Sequence, residues 1–279
     1  MSRLRLVTIN FWGTEPDLDR RLALAVEQLE ALAPDVIGMQ EVRPLDGRAG
    51  RTTADHLAAA LGMHSVYEMS IEWEDGAFFK GHPGGQEGLA ILSKHPIGEH
   101  RVTRLPEERP TEKRILLSAR VDCDGGPVWC HTTHLHYRLT DGIAREHQVS
   151  AIDDALHGID TDAPQLLCGD FNANPDTDEI RFLLGRHTLA GRRTHYQDAY
   201  GRVHPGEGGH TWCAQNEHTR PLRSLDIDRR IDYVFVTTRH KDGRGTVLDA
   251  DVCLTERDPQ GDCASDHYGV YADVQITPE

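Results

Sequence analysis

The stretch Leu166-Leu167-Cys168-Gly169-Asp170-Phe171-Asn172-Ala173-Asn174-Pro175 constrains this chain more than any other. A short apolar run reads as a buried strand, and here it stops abruptly in a glycine, an acid, an aromatic and two amides. Such a strand delivers Asp170 and Asn172 at its carboxyl end, where polar side chains can meet a ligand. Their acceptor and donor groups suit a divalent cation and a phosphoryl oxygen. A plain strand-to-helix turn, with Asn174 as N-cap and Pro175 at N1, has the same look. What separates the two readings is that other polar clusters also follow apolar runs elsewhere in the chain.

Strand patterns recur at Leu4–Ile9, Val36–Met39, Gly88–Ser93, Gln165–Cys168, Ile231–Val236 and Tyr268–Ile276. Ile115–Val121 and Val128–Thr133 form a hairpin pattern across Cys123-Asp124-Gly125-Gly126-Pro127. Helical spacing of apolar residues predicts helices over Leu18–Ala33, Thr53–Leu61, Asp141–Leu156 and Asp176–Leu184, with Pro34 and Gly62 as stops. Helices separate some strands and hairpins join others, so the sequence predicts an α/β fold with mixed sheets. No linker, repeat or low-complexity tract divides the 279 residues, and a single domain over 1–279 is expected. The polar, Gly-rich segments Ile71–Gln86, Pro106–Lys113 and Val203–Arg223 read as loops that carry substrate selectivity.

The formal net charge is −15, which argues against tight, sequence-independent binding to duplex nucleic acid. It leaves local basic groups at Arg101, Arg104, Arg109, Lys113 and Arg114, and at Arg220, Arg223, Arg229 and Arg230. Each reads equally as solvated surface. The six cysteines show no CxxC spacing, which excludes the usual zinc motifs. Cys253 and Cys263 flank a loop and could pair in an oxidising compartment. No apolar run is long enough to cross a membrane. Met1-Ser2-Arg3 leads directly into a strand pattern rather than a leader, so a cytoplasmic, monomeric protein is expected.

Two further strand ends carry groups that fit one cation. Asn10 follows the first strand and Glu41 the second, and Mg²⁺ (or Mn²⁺) takes one or two carboxylates while keeping several waters. Either residue alone reads as a loop cap. His134 ends the run Trp129-Cys130-His131-Thr132-Thr133-His134, and His136 lies two positions on, on the same face of an extended segment. Both suit phosphate binding or proton transfer near neutrality, although among 17 histidines some are packing residues. Asp232 sits inside an apolar run, where a carboxylate needs a partner, and His267 in Ser265-Asp266-His267-Tyr268 supplies one. Asp266 could reach the same cation. In the loops, Lys80 and His82 suit substrate anions, and Trp73, Phe78 and Phe79 suit lipid, a base, or simple packing.

In this order the clusters resemble the endonuclease/exonuclease/phosphatase superfamily, which includes deoxyribonucleases, apurinic-site endonucleases, neutral sphingomyelinases and inositol polyphosphate 5-phosphatases. The motifs that carry the resemblance are Asn10, Gln40-Glu41, Gly88-Leu89-Ala90-Ile91-Leu92-Ser93, Thr133-His134-Leu135, Gly169-Asp170-Phe171-Asn172, Arg230-Ile231-Asp232-Tyr233 and Ser265-Asp266-His267. The resemblance implies a four-layer sandwich, two mixed sheets face to face with helices outside. It implies a metal-dependent phosphoesterase in which Glu41 and Asn10 hold Mg²⁺ with Asp266 nearby. Asp170 and Asn172 would orient water and phosphate, and His267 with Asp232 would act as base or charge stabiliser. His134 would bind phosphate or protonate the leaving oxygen. It sets the chain apart from the apurinic-site endonucleases, and the signature loops of the inositol phosphatases are missing. Charge then favours a small phosphoester or lipid headgroup as substrate. The alternatives are a DNA endonuclease or exonuclease, and a non-catalytic binding module on the same fold.

Overall fold

The computed structural model describes residues 2–46, 50–77, 80–81, 83–109, 112–219 and 228–279. Phe78, Phe79, His82, Arg220 and Arg223 therefore lie outside the described residues. The first sheet contains β1 (Arg3–Asn10), β2 (Val36–Val42), β3 (His64–Trp73), β4 (Gly85–Ser93), β11 (Val247–Cys253) and β12 (Gly269–Gln275), in the order β11-β12-β1-β2-β4-β3. The second contains β5 (Ile97–Arg104), β6 (Ile115–Cys123), β7 (Gly126–His134), β8 (Leu166–Asp170), β9 (Gln197–Asp198) and β10 (Asp232–Val236), in the order β5-β6-β7-β8-β10-β9. Each sheet has one parallel pair at its centre, β1 with β2 and β7 with β8. A parallel pair needs a crossover. Helix α1 (Leu18–Leu32) supplies the first and α3 (Gly142–His157) the second, while α2 (Thr53–Leu61), α4 (Asp178–Leu183) and α5 (Ala199–Val203) are shorter.

Period-two alternation sorts the strands into layers. Leu4 and Leu6 of β1, Cys168 of β8, and Val234 and Val236 of β10 meet in the core between the sheets. Val7 and Ile9 face the other way, against Leu22, Ala25 and Leu29 of α1. Leu167, Tyr233 and Phe235 face Val149 and Ile152 of α3. The result is a helix–sheet–sheet–helix sandwich. The sheets approach closely at Gly38, where a β-carbon would lie 2.3 Å from the Cys168 sulfur. Cys253 and Cys263 are both buried free thiols.

The largest departures from the sequence reading are at strands with mixed polarity. β3, β5 and β11 were not anticipated because they are edge strands, or next to the edge, with exposed charged residues such as Glu99 and Arg101. The segment Ile71–Gln86 is correspondingly shorter as a loop, since Ile71–Trp73 and Gly85–Gln86 belong to the β3–β4 hairpin. Helix α4 starts at Asp178, two residues later than the Asp176 expected, and Asn174 is not its N-cap: Asn174 offers its carbonyl to the Thr177 N–H at 3.1 Å and forms a turn.

Candidate active site

The carboxyl ends of β1, β2, β7 and β8 lie at one end of the sandwich, together with the amino ends of their antiparallel neighbours β10 and β12. Register puts His134 and Asp232 on either side of Asp170 within the second sheet. The Ser265 hydroxyl donates to the Asn10 carbonyl at 2.6 Å, which ties the approach to β12 onto the end of β1. Asn10, Glu41, His134, Asp170, Asn172, Asp232, Asp266 and His267 thus surround one mouth.

The backbone re-aims two of them. Glu41 adopts φ 52° where the β2–β4 register slips, a bulge that turns its side chain outward while Gln40 points inward. Gln40 is fully buried and donates to Thr132 Oγ1 at 2.8 Å, bridging the two sheets. Asn172 adopts φ 51° immediately beyond β8. Left-handed conformations at non-glycine residues cost about 1–3 kcal/mol each and concentrate at functional sites. Gly169 makes the approach possible, because a β-carbon there would sit 2.1 Å from the Thr133 carbonyl oxygen.

Asn10 donates its side-chain amide to Glu41 Oε1 at 3.0 Å and to Asp170 Oδ2 at 3.1 Å, and its Oδ1 accepts the Trp12 N–H at 3.1 Å. The amide therefore bridges the carboxylates through nitrogen; ligation of a cation by Oδ1 would require it to turn over and release Trp12. Asp170 Oδ1 accepts the Asn172 N–H at 2.8 Å, and the Asn172 amide donates to the Leu135 carbonyl at 3.2 Å. His267 Nδ1 donates to Asp232 Oδ2 at 2.9 Å, and His267 Nε2 stands 3.9 Å from Asp170 Oδ2. His134 Nε2 stands 3.5 Å from that same oxygen, too far for a firm hydrogen bond.

Electrostatics separate the two histidines. Burial opposes the charge on His267, yet Asp232, Asp266 and Asp170 overcome it and hold the imidazole well above its ordinary range. His134 is pushed well below that range by burial first, then by Arg114 and His267. Burial, reinforced by Asp232, raises Asp170 to about 7, and burial raises Asp266 to about 6. Glu41 is also raised, by burial and by Glu87. Asp232 is completely buried, and its Oδ1 has no partner among the described residues.

These residues fit a divalent cation. Four carboxylates crowd one mouth, one carries a buried oxygen with no partner among the described residues, and three are raised, chiefly by burial and further by one another's charge. Ligand atoms of Asp170, Asp232 and His267 fall within 4.8 Å of one another. That proximity is the hydrogen-bonded Asp232–His267 couple, and an Nδ1 that donates a proton does not ligate a metal. Glu41 and Asp266, both partly open to solvent, are the better ligands.

His136 does not join the cluster. Its ring is buried, with Nε2 bonded to Asp141 at 2.9 Å and Nδ1 3.7 Å from Glu112. The strand ends at His134, so the same-face alternation expected of an extended segment no longer holds there. Lys80 is exposed on the β3–β4 loop. The base of that loop does reach the mouth: Trp73 stacks over Arg43, whose guanidinium lies 3.9 Å from Glu41 Oε2 and 2.9 Å from Glu87. Across the mouth, Thr211 Oγ1 accepts from the Asp232 N–H at 3.2 Å, and the His218 ring lies 4.7 Å from Trp12.

Two arginines were missed by the sequence reading in this role. Arg114 lines a crevice with His134, Ser70 and Glu87, and its buried Nε has no partner among the described residues. Arg21 of α1 is 2% exposed and, among the described residues, donates to the carbonyls of Phe11, Trp12, Glu15 and Ala264. It cross-links the end of β1 to the approach to β12. Burial lowers it to about 10, and Asp266, Glu15 and Glu41 partly compensate its charge. An arginine on an amphipathic helix reads as solvated surface, so nothing in the sequence marked it.

Comparison with known proteins identifies the family and the fold. The Endonuclease/Exonuclease/phosphatase family model matches residues 7–267. Protein angel of Drosophila melanogaster is 41% identical over 101 residues, which cover 36% of this chain and 25% of that protein. The match thus spans about a quarter of that relative's length. The endonuclease/exonuclease/phosphatase from Beutenbergia cavernae superposes with a TM-score of 0.72 at 26% identity, covering 99% of this chain and 72% of that one. D. rerio TDP2, solved with a single-strand DNA product, superposes with a TM-score of 0.75 at 19% identity, over 99% of this chain and all of that one. The chain belongs to the endonuclease/exonuclease/phosphatase family, a family of hydrolases.

Proposed function

We propose that this single-domain protein is a divalent-metal-dependent phosphoesterase that hydrolyses a small phosphoester by attack of a water molecule. The observation that carries the reading is the convergence of Glu41, Asp170 and the Asp232–His267 couple on one mouth, with Asp170 held by Asn10 and Asn172 between His134 and His267. A carboxylate fixed on both oxygens suits a group that orients the attacking water and accepts its proton. His267, kept cationic by Asp232, stabilises negative charge that develops on phosphorus and is not itself the base. His134 is neutral, so it donates a hydrogen bond to a phosphoryl oxygen rather than a proton to the leaving group. Arg114 lies on the same side and adds charge-assisted donors. Glu41 and Asp266 would hold the cation, Mg²⁺ or Mn²⁺, with Asn10 orienting Glu41. Such a cation supplies charge neutralisation at the phosphoryl oxygens.

A small substrate is favoured because the basic residues that could form a nucleic-acid track are largely engaged. Arg101 pairs with Glu99, Arg109 with Asp141 and Arg230 with Asp198, while Arg229 bonds the Asn172 carbonyl. Selectivity would come from loops beside the mouth, the one following Trp73 and the one carrying Thr211 and His218. Purified protein with Mg²⁺ or Mn²⁺ is to be screened on bis-p-nitrophenyl phosphate, nucleotides, inositol phosphates, sphingomyelin, plasmid DNA and single-stranded DNA. Single-stranded DNA is included because the D. rerio TDP2 structure carries such a product. Turnover of a small ester that Asp170→Asn removes supports the reading. Turnover confined to DNA would shift it to a nuclease, and no turnover on any substrate would overturn it in favour of a binding module.

A further inference from the structure

A cleft of about 450 Å³ opens beside the β9 edge of the second sheet, lined by residues of the α4–β9 connection and of α5 and the turn after it. None of the mouth residues lines it. Its charged lining is Arg186, His195, Arg202, His204 and Arg230 on one side of the balance, and Asp198 and Glu207 on the other. Asp198 is already committed, since Arg230 grips it through both terminal nitrogens at 2.9 and 2.7 Å. Glu207 is exposed and lies 3.7 Å from His204 Nδ1. Arg186, Arg202 and His195 have no side-chain hydrogen bond or ion pair among the described residues. In a chain with 45 acidic and 30 basic residues, unpaired arginines converging on one cleft run against the general charge balance.

A second observation points the same way. Arg230 is 5% exposed and lines the cleft, and its Nε–H is buried with no acceptor among the described residues. Most buried donors are satisfied, so an orphan beside a cleft is a place for an acceptor from outside. The chain geometry is also fixed there. Gly185 adopts φ 68°, and a β-carbon at that position would come within 3.3 Å of the His195 ring, so the turn brings Arg186 and His195 alongside each other.

We propose that this cleft is a second binding site, separate from the active site, for a small molecule carrying phosphate. Guanidinium forks match phosphate oxygens in geometry and charge, which a carboxylate ligand would use less fully. The volume falls within the roughly 300–1,000 Å³ of small-molecule sites and accommodates a nucleotide-sized ligand. Its entrance residues, Arg186 and Arg202, hold the anion; the floor, from Tyr196 to Asp198 with Arg230, is rigid and buried.

Calorimetric titration of the full chain in EDTA tests this, with pyrophosphate and ADP as probes. EDTA removes metal-assisted capture at the mouth, so the outcome does not depend on the proposed reaction. The wild-type protein should bind at least one probe saturably with one site. The double variant Arg186→Ala, Arg202→Ala should weaken that binding about tenfold or more. Both residues are exposed, and an unchanged melting temperature verifies that the variant is folded. Asp170→Asn should bind as the wild type does. Absence of saturable binding up to the order of 10 mM would overturn the proposal. So would equal affinity in the double variant, or binding that is lost with Asp170→Asn instead.

Discussion

Replacing Asp232 with Asn tests the electrostatic arrangement of the mouth with almost no change of shape. Asp232 is completely buried and accepts the His267 Nδ1 proton at 2.9 Å. It is the largest of the influences that raise His267 and the second cause, after burial, of the raised Asp170. The substitution should therefore move both groups. The imidazole, which loses its largest raising influence and keeps only Asp266 and Asp170 against burial, should fall toward its ordinary range. Asp170 should become more acidic and a weaker base. An amide in place of the carboxylate also permits the wrong histidine tautomer, a change that costs up to about 10⁴ in triad enzymes. A loss of kcat of about 10²–10⁴ is expected on the best small substrate, with KM changed little. Deleting one member of a buried charged pair costs about 3–5 kcal/mol, partly recovered here because repulsion between Asp170 and Asp232 is relieved. The assays are kcat and KM against pH and an NMR titration of the His267 ring. The acid limb of kcat should shift to lower pH. Activity within about tenfold of wild type, with an unshifted limb, would refute the reasoning.

Three further outcomes are expected. Asp170 and Asp266 are raised, so the stability they contribute is present at acid pH and is lost as pH rises through about 6–7. A cation offsets that loss, and the Mg²⁺-induced rise in melting temperature should grow between about pH 5 and pH 8; a pH-independent rise would sink the assignment. His134→Ala should lower kcat/KM about 10–100-fold by removing one phosphate donor, without moving the pH optimum, and a preserved kcat/KM would remove His134 from the site. Arg21→Lys keeps the charge but loses the fork that joins Phe11, Glu15 and Ala264. It should cost about 2–3 kcal/mol and weaken Mn²⁺ binding to the folded protein about tenfold. Unaltered Mn²⁺ affinity would make Arg21 a stability residue only.

What was legible in the sequence followed from how buried strands end. Apolar runs such as Val7–Ile9 and Leu166–Cys168 announce central strands, and the polar residue that stops each run must lie at a sheet end, where Asn10 and Asp170 are found. The Asp232–His267 pairing was readable because a carboxylate inside Ile231–Val236 has to be neutralised. Three features were not readable. Edge strands such as β5, with burial only at alternate or sparse positions, carry little apolar signal. His136 depends on where β7 stops, a matter of one residue. Arg21 and Arg114 work through carbonyls, crevices and fields that connect segments far apart in the chain, and local pattern holds no trace of them.

The central claim is that a divalent cation, held at the mouth by Glu41 and Asp266, is required for phosphoester hydrolysis. Its most direct test is the rate on bis-p-nitrophenyl phosphate, for protein first stripped with EDTA and then titrated with Mg²⁺ or Mn²⁺. The wild type should be inactive when stripped and recover along a saturable curve, and Glu41→Ala should need about tenfold or more metal for half-recovery while melting near the wild-type temperature. Full turnover by the stripped protein, or a Glu41→Ala curve that overlays the wild type, would contradict the account.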